Sequence, residues 1–246
     1  MKKTICAAVL VLAAAAAFAE GFSLSAGGGA VLGGTFTRYT LEARGGGTAI
    51  TATQSMNQFN YGLFAFFDAT YGVLGLFWQN GANTFDDRIE GGGGPDMSGN
   101  GWETVVGVSL LGRWPFRMNE RLAVFPMLGI EYHVALNSRR TDEFGEVYDR
   151  TSGFPEADRH GDPFLRSDFD SLFVKLGGGA DINVRGDFFF RGELLYGFRL
   201  MTGYERKNLD MIRHLSGDSS PRLGGLTSGP SVRLSAGLRL FTRERP

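Results

Sequence analysis

Glu131 and His133 stand two residues apart within Leu122–Leu136, a stretch in which apolar residues occupy every other position. On an extended chain that spacing puts both side chains on one face. A histidine beside a carboxylate has the means for acid–base chemistry. No serine or second acid is placed nearby to complete a nucleophilic set, so the pair reads as a structural histidine with its counter-ion. No catalytic residue is assigned, and the chain is not expected to be an enzyme.

Other candidate chemistry is weaker. His160 and His214 lie alone in long connections. Asp142, Glu143, Glu146, Asp149, Glu156, Asp158 and Asp162 crowd one of these segments, among Arg139, Arg140, Arg150, Arg159 and Arg166. They lack the ordered oxygen ligands and glycine turn of a calcium loop, so no metal site is expected and the segment reads as a solvated surface of mixed charge. Gly27–Gly29 falls inside a strand pattern, and neither it nor Gly91–Gly94 is followed by the Lys-Ser/Thr of a phosphate loop. No cofactor is implied.

The elements that would position Glu131 and His133 are β-strands. From Phe22 to Phe241 apolar and polar residues alternate in eight segments: Phe22–Phe36, Gln58–Thr70, Tyr71–Gln79, Trp102–Trp114, Leu122–Leu136, Leu172–Ile182, Phe188–Phe198 and Val232–Leu240. Runs of about 9–15 residues suit a tilted membrane-crossing strand, which needs about 9–11. The third segment is ambiguous in register, with Val73 and Phe77 at one parity and Leu74, Leu76 and Trp78 at the other. Opposite the apolar faces stand Glu103, Arg113, Glu131, His133, Lys175, Asp181, Arg191, Glu193, Arg199, Arg233 and Arg239. Phe64, Phe66, Phe125, Met127, Phe173, Phe189, Leu195 and Met201 share that second face.

The connections alternate in length. Those at Arg38–Asn57, Asn80–Gly101, Asn137–Asp168 and Thr202–Pro230 are long, and those near Ala69–Gly72, Pro115–Arg121 and Arg185–Asp187 are short, with Gly186 supplying a positive φ to the last turn. Every long connection then falls at one end of a meander and both termini at the other, the plan of transmembrane barrels. Soluble sandwiches also alternate. Three features favour lipid: aromatic residues near strand ends, charges of both signs at mid-strand, and an even strand number that permits closure. The expected fold is an all-β, eight-stranded antiparallel up-and-down transmembrane β-barrel.

Residues 1–19 read as a cleaved export signal, with Lys2 and Lys3, an apolar Ile5–Ala17 and the small-x-small Ala17-Phe18-Ala19 before Glu20. Residues 20–246 would form the barrel domain. The single cysteine, Cys6, would leave with the signal, and loss of its two lysines takes the net charge from −1 to −3. That balance argues against nucleic-acid binding, which needs a basic face. Beyond the signal no apolar run is long enough for a spanning helix. The 37 glycines have no three-residue period, which excludes collagen.

On these strands and connections the chain resembles the small eight-stranded outer-membrane barrels of the OmpW/OmpA/OmpX-like group. Phe66-Phe67-Asp68-Ala69-Thr70-Tyr71 and Phe125-Pro126-Met127-Leu128-Gly129-Ile130-Glu131-Tyr132 are similar to segments of spirochaete outer-membrane barrels. The last strand resembles the signal read by the barrel-assembly machinery, except that Leu240 holds the terminal outward slot usually given to an aromatic and Phe241 is one residue out of phase. The resemblance implies a monomer in the outer membrane of a diderm bacterium, with lipid and the assembly machinery as partners. A hydrophobic, OmpW-like conduit for small apolar molecules is the function it implies. The residues themselves fit a salt-bridge plug equally well, because eight strands enclose only enough room for side chains. An adhesin binding an extracellular or host ligand through the long connections is the alternative.

Overall fold

The alternating segments form eight long strands and two short ones: β1 (Phe22–Gly45), β2 (Thr48–Ala69), β3 (Gly72–Glu90), β4 (Met97–Arg113), β5 (Phe116–Arg117), β6 (Leu122–Asp142), β7 (Val147–Asp149), β8 (Ser171–Arg185), β9 (Phe188–Arg199) and β10 (Arg222–Arg243). The computed structural model describes residues 22–45, 48–91, 96–142, 147–149, 170–200 and 222–243. The export signal, His160, His214, Met201 and the acidic cluster beyond Asp149 lie outside them.

Each long strand pairs antiparallel with two neighbours, and the β4–β6 and β1–β10 ladders close the sheet into a ring. β5 and β7 are added to β6. Closure removes the unpaired edges that an open sheet would present. The register fixes the tilt. Ala26 pairs with Phe67, which leads in turn to Leu74, Leu110, Ile130, Val174, Phe198 and Ser228, and Ser228 pairs with Phe36. One circuit thus advances from residue 26 to residue 36 of β1, a shear of ten. With the usual strand spacings this corresponds to a tilt of about 40°.

Apolar side chains cover the outside of the ring, with Leu63 and Leu234 each 62% exposed. Tyr61, Trp78, Trp102, Phe36 and Phe198 edge this belt at one end; Trp114, Phe116 and Phe241 edge it at the other. The third strand resolves cleanly, with Val73, Phe77 and Gln79 buried and Leu74, Leu76 and Trp78 exposed.

Three local irregularities matter. A bulge between Leu24 and Ser25 leaves Leu240 without an opposite number, so Phe241 pairs with outward-facing Leu24 and returns to the apolar face. There its ring centroid lies 6.3 Å from that of Phe22. Gly186 has φ 58°, as its turn requires. Thr70, in the Ala69–Gly72 turn, has φ 42°, an uncommon value for a β-branched residue. Its Oγ1 accepts from Ser23 N at 2.7 Å and donates to Ser23 O at 3.1 Å.

Where they fall among the described residues, the long connections read from sequence are mostly strand. β1 runs to Gly45, which pairs with Thr48 of β2, so Arg38–Asn57 is a hairpin rather than a loop. Likewise β3 continues to Glu90, β4 starts at Met97, β6 reaches Asp142 and β10 starts at Arg222. Above the apolar belt the outward face becomes polar and the apolar residues of the alternation, such as Leu41, Ala43 and Met56, turn inward instead, so the pattern changes phase. Backbone pairing and the β-propensity of Thr48, Thr51 and Thr53 persist there. The barrel wall therefore rises as a polar collar past its aromatic edge.

Candidate functional site: a charge network across the lumen

Inward positions of six strands bring the lumen charges together in two linked groups. In the lower group, nearer the termini, Arg113 on β4 lies 2.7 Å from Asp68 on β2 and 3.0 Å from Asp181 on β8. Arg191 on β9 lies 2.6 Å from each of the same two carboxylates. Two cations and two anions thus form a closed ring. Arg113 Nε also donates to the Thr70 carbonyl at 3.0 Å, tying the ring to the strained turn.

In the upper group Glu131 on β6 accepts from Arg233 of β10, lies 3.3 Å from Lys175 Nζ and 2.8 Å from His133 Nε2. Glu193 joins the groups, 4.0 Å from Arg191 and 3.8 Å from Arg233, close enough for attraction but beyond hydrogen-bond reach. All these side chains are buried except that of His133, which is partly so. Desolvated charges at this depth are tolerated because each meets its opposite.

Aromatic rings fill the space between the charges. The Arg191 guanidinium lies 4.7, 5.3 and 5.2 Å from the ring centroids of Phe66, Phe125 and Phe189. Lys175 lies 5.3 Å from Phe173, and Arg233 lies 5.4 Å from Phe64. His133 is held between Phe77 and Phe173, with ring centroids 4.9 and 4.7 Å away. Faces of aromatic rings attract cations, so these contacts partly replace lost hydration. Small residues make room: a Cβ on Gly27 would reach within 2.7 Å of Phe66, and one on Gly237 within 2.6 Å of Phe189.

Above the network the lumen is lined mainly by uncharged polar groups, with Glu103 and Arg199 among them. Gln58 donates to Asn60, Asn60 to Thr35, and the Thr37 and Tyr39 hydroxyls both meet that of Thr227. Higher still, Leu41, Ala43, Met56 and Phe85 are buried. Beside His133, Lys175, Gln79 and Ser231 remains a cavity of about 20 Å³, room for a single water.

All eleven charged or histidine positions read as inward take inward register in the barrel. Eight join the network, counting His133. Glu103 sits in the polar layer, 3.4 Å from Gln58 Nε2. Arg199 donates to Tyr39 Oη at 2.7 Å, and Arg239 donates to Asn183 Oδ1 below the ring. The sequence reading left Asp68 out of the charge set, although its parity with Asn60 and Gly62 was sufficient to find it. It also missed Phe77, which the mixed parity of its strand conceals. Among the described residues no group of three His, Cys, Asp or Glu side chains is arranged to hold a metal ion.

No protein-family model matches the chain, and no curated protein does. Among solved structures it is similar to Ail, the attachment invasion locus protein of Yersinia pestis, solved in complex with the heparin analogue sucrose octasulfate. The identity is 13%, the TM-score 0.29, and the alignment covers 90% of this chain and 100% of that one. The outer membrane protein OprG of Pseudomonas aeruginosa aligns at 10% identity and TM-score 0.41, over 92% and 97% of the two chains. The outer membrane protease OmpT of Escherichia coli aligns at 10% identity and TM-score 0.31, over 89% and 96%. Likeness at this level transfers no activity; the barrel is established by the ring of paired strands.

Proposed function

We propose that this chain is an outer-membrane barrel protein whose lumen is closed and whose membrane part anchors the polar collar above it. The observation that carries this reading is the series Asp68–Arg191–Glu193–Arg233–Glu131, which crosses the lumen amid packed aromatic rings. The exposed apolar belt supports a lipid surrounding, since such a continuous surface in water would drive aggregation. In this reading residues 1–19 are the export signal, the barrel-assembly machinery inserts the chain as a monomer, and lipid is its standing partner. The collar is then the surface available to an extracellular or host ligand.

The test is conductance of the purified, refolded protein in planar bilayers. The closed reading expects no steady single channels; steady openings would overturn it.

A narrow conduit for small apolar molecules is the second reading, supported by the rings of Phe64, Phe66, Phe77, Phe125, Phe173 and Phe189 inside the barrel. It requires several buried ion pairs to part together, each costing roughly 3–5 kcal/mol when one partner is lost. The closed anchor is therefore preferred.

A further inference from the structure

Just above Phe59 and Trp102 the outer wall of β2, β3 and β4 changes from aromatic to short polar side chains. Asn57, Thr84 and Asn100 stand side by side on the three strands, and Ser55, Asp86 and Ser98 form the next rung. They line a trough of about 340 Å³, within the roughly 300–1,000 Å³ typical of small-ligand sites. With strands about 4.8 Å apart and alternate residues about 6.8 Å apart, the trough is a flat grid of donors and acceptors.

Most of those groups are available, Ser55 Oγ alone donating within the grid, to the Asp86 carbonyl at 3.4 Å. Among the described residues Asn57, Thr84, Ser98 and Asn100 make no side-chain hydrogen bond. Asp86 is held by Arg88, whose Nε and Nη2 lie 3.1 and 3.3 Å from its two oxygens. Its charge is balanced, while each oxygen keeps acceptor capacity for a hydroxyl. The one cation at the trough, Arg88, is already committed to Asp86, so the site is neutral and matches a phosphate poorly. Groups that both donate and accept, at close spacing and without net charge, match a neutral polyhydroxylated ring.

Position selects the source of that ring. The trough faces sideways rather than upward and continues into the apolar wall through Phe59, Trp102 and Trp78, all exposed. A molecule with acyl chains against that wall and a sugar at its head would occupy both surfaces at once. We propose that the β2–β4 trough binds the neutral sugar headgroup of a glycolipid in the surrounding leaflet. The proposal rests on the reading of this barrel as membrane-spanning.

The test is native mass spectrometry of the full-length refolded barrel, released from detergent micelles with equal amounts of monogalactosyl diacylglycerol and phosphatidylcholine of matched acyl chains. Galactolipid adducts are expected to exceed phospholipid adducts roughly tenfold, the equivalent of one or two added hydrogen bonds. The preference should vanish in Asn57→Ala/Asn100→Ala and shrink in Ser55→Ala/Ser98→Ala, with the compact unboiled gel band of each unchanged. Equal adducts on the wild type, or a preference that survives both double substitutions, would overturn the proposal while leaving the barrel reading intact. Absence of the compact band in the wild type would instead defeat the membrane reading and the proposal with it.

Discussion

Arg191 Nη2 on β9 donates to Asp68 Oδ2 on β2 at 2.6 Å, across 123 positions of sequence and the width of the lumen. Both side chains are fully buried. Since Arg113 holds the same carboxylate from β4 and Asp181 bridges both arginines from β8, four strands are fastened through one ring of charge.

Arg191→Met leaves Asp68 and Asp181 to share Arg113. The expected loss is about 3–5 kcal/mol, because an uncompensated buried charge is costly. Replacing all four members by apolar residues should cost much less, since no charge is then stranded. Urea midpoints of the refolded protein in detergent distinguish these cases. Equal losses would show that the ring acts through packing alone.

The upper group borders the small lumen cavity. Glu131→Ala/Lys175→Ala/Arg233→Ala removes one anion and two cations around the small cavity. Flickering conductance is expected in planar bilayers where the wild type is silent. Silence in the triple variant would place the seal in the phenylalanine layer or in the Leu41–Met56–Phe85 cap.

Gly27 and Gly237 leave room in the barrel wall for the Phe66 and Phe189 rings. Alanine at either position should destabilise the barrel by about 1–3 kcal/mol through overpacking. The temperature at which the compact gel band disappears reports the change.

Thr70 retains its positive φ through bonds from its hydroxyl to Ser23. Thr70→Val preserves shape and strain but deletes those bonds, so a loss of about 1–2 kcal/mol is expected. Thr70→Gly also loses the bonds but relieves about 1–2 kcal/mol of left-handed strain, leaving stability nearly unchanged. A glycine variant as unstable as the valine variant would refute the strain argument.

The barrel's orientation has its own test, simplified by the sole cysteine lying within residues 1–19. A thiol at Thr53 in the collar should react with an impermeant maleimide on intact cells. One at Asp187, in the turn at the terminus end, should react only after permeabilisation. The opposite pattern would invert the topology.

What was legible in the sequence follows from where the environment imposes contrast. The eight strands and the inward charges were readable because, within the apolar belt, one face meets hydrocarbon-like surroundings and the other a polar lumen. Glu131 and His133 fell together on that logic. The collar was not readable as a continuation of the same strands because the apolar parity switches there: Leu41 and Ala43 turn inward on a strand whose belt residues Leu32 and Phe36 turn outward. Phe77 was hidden because Tyr71–Gln79 is apolar at both parities; only its pairing with Phe64 fixes the register. Phe241 looked out of phase because a bulge, which depends on the partner strand, leaves no mark in a single segment.

The plug also has a bearing on membrane voltage. Its carboxylates are Asp68, Glu131, Asp181 and Glu193, and its cations are Arg113, Lys175, Arg191 and Arg233. With His133 neutral these sum to zero. A potential does work on charge only as net charge moves, about 2.3 kcal/mol per unit charge per 100 mV. Shifting this neutral assembly as a body along the barrel axis gains nothing from the field, so the plug would be inert to polarisation in either direction.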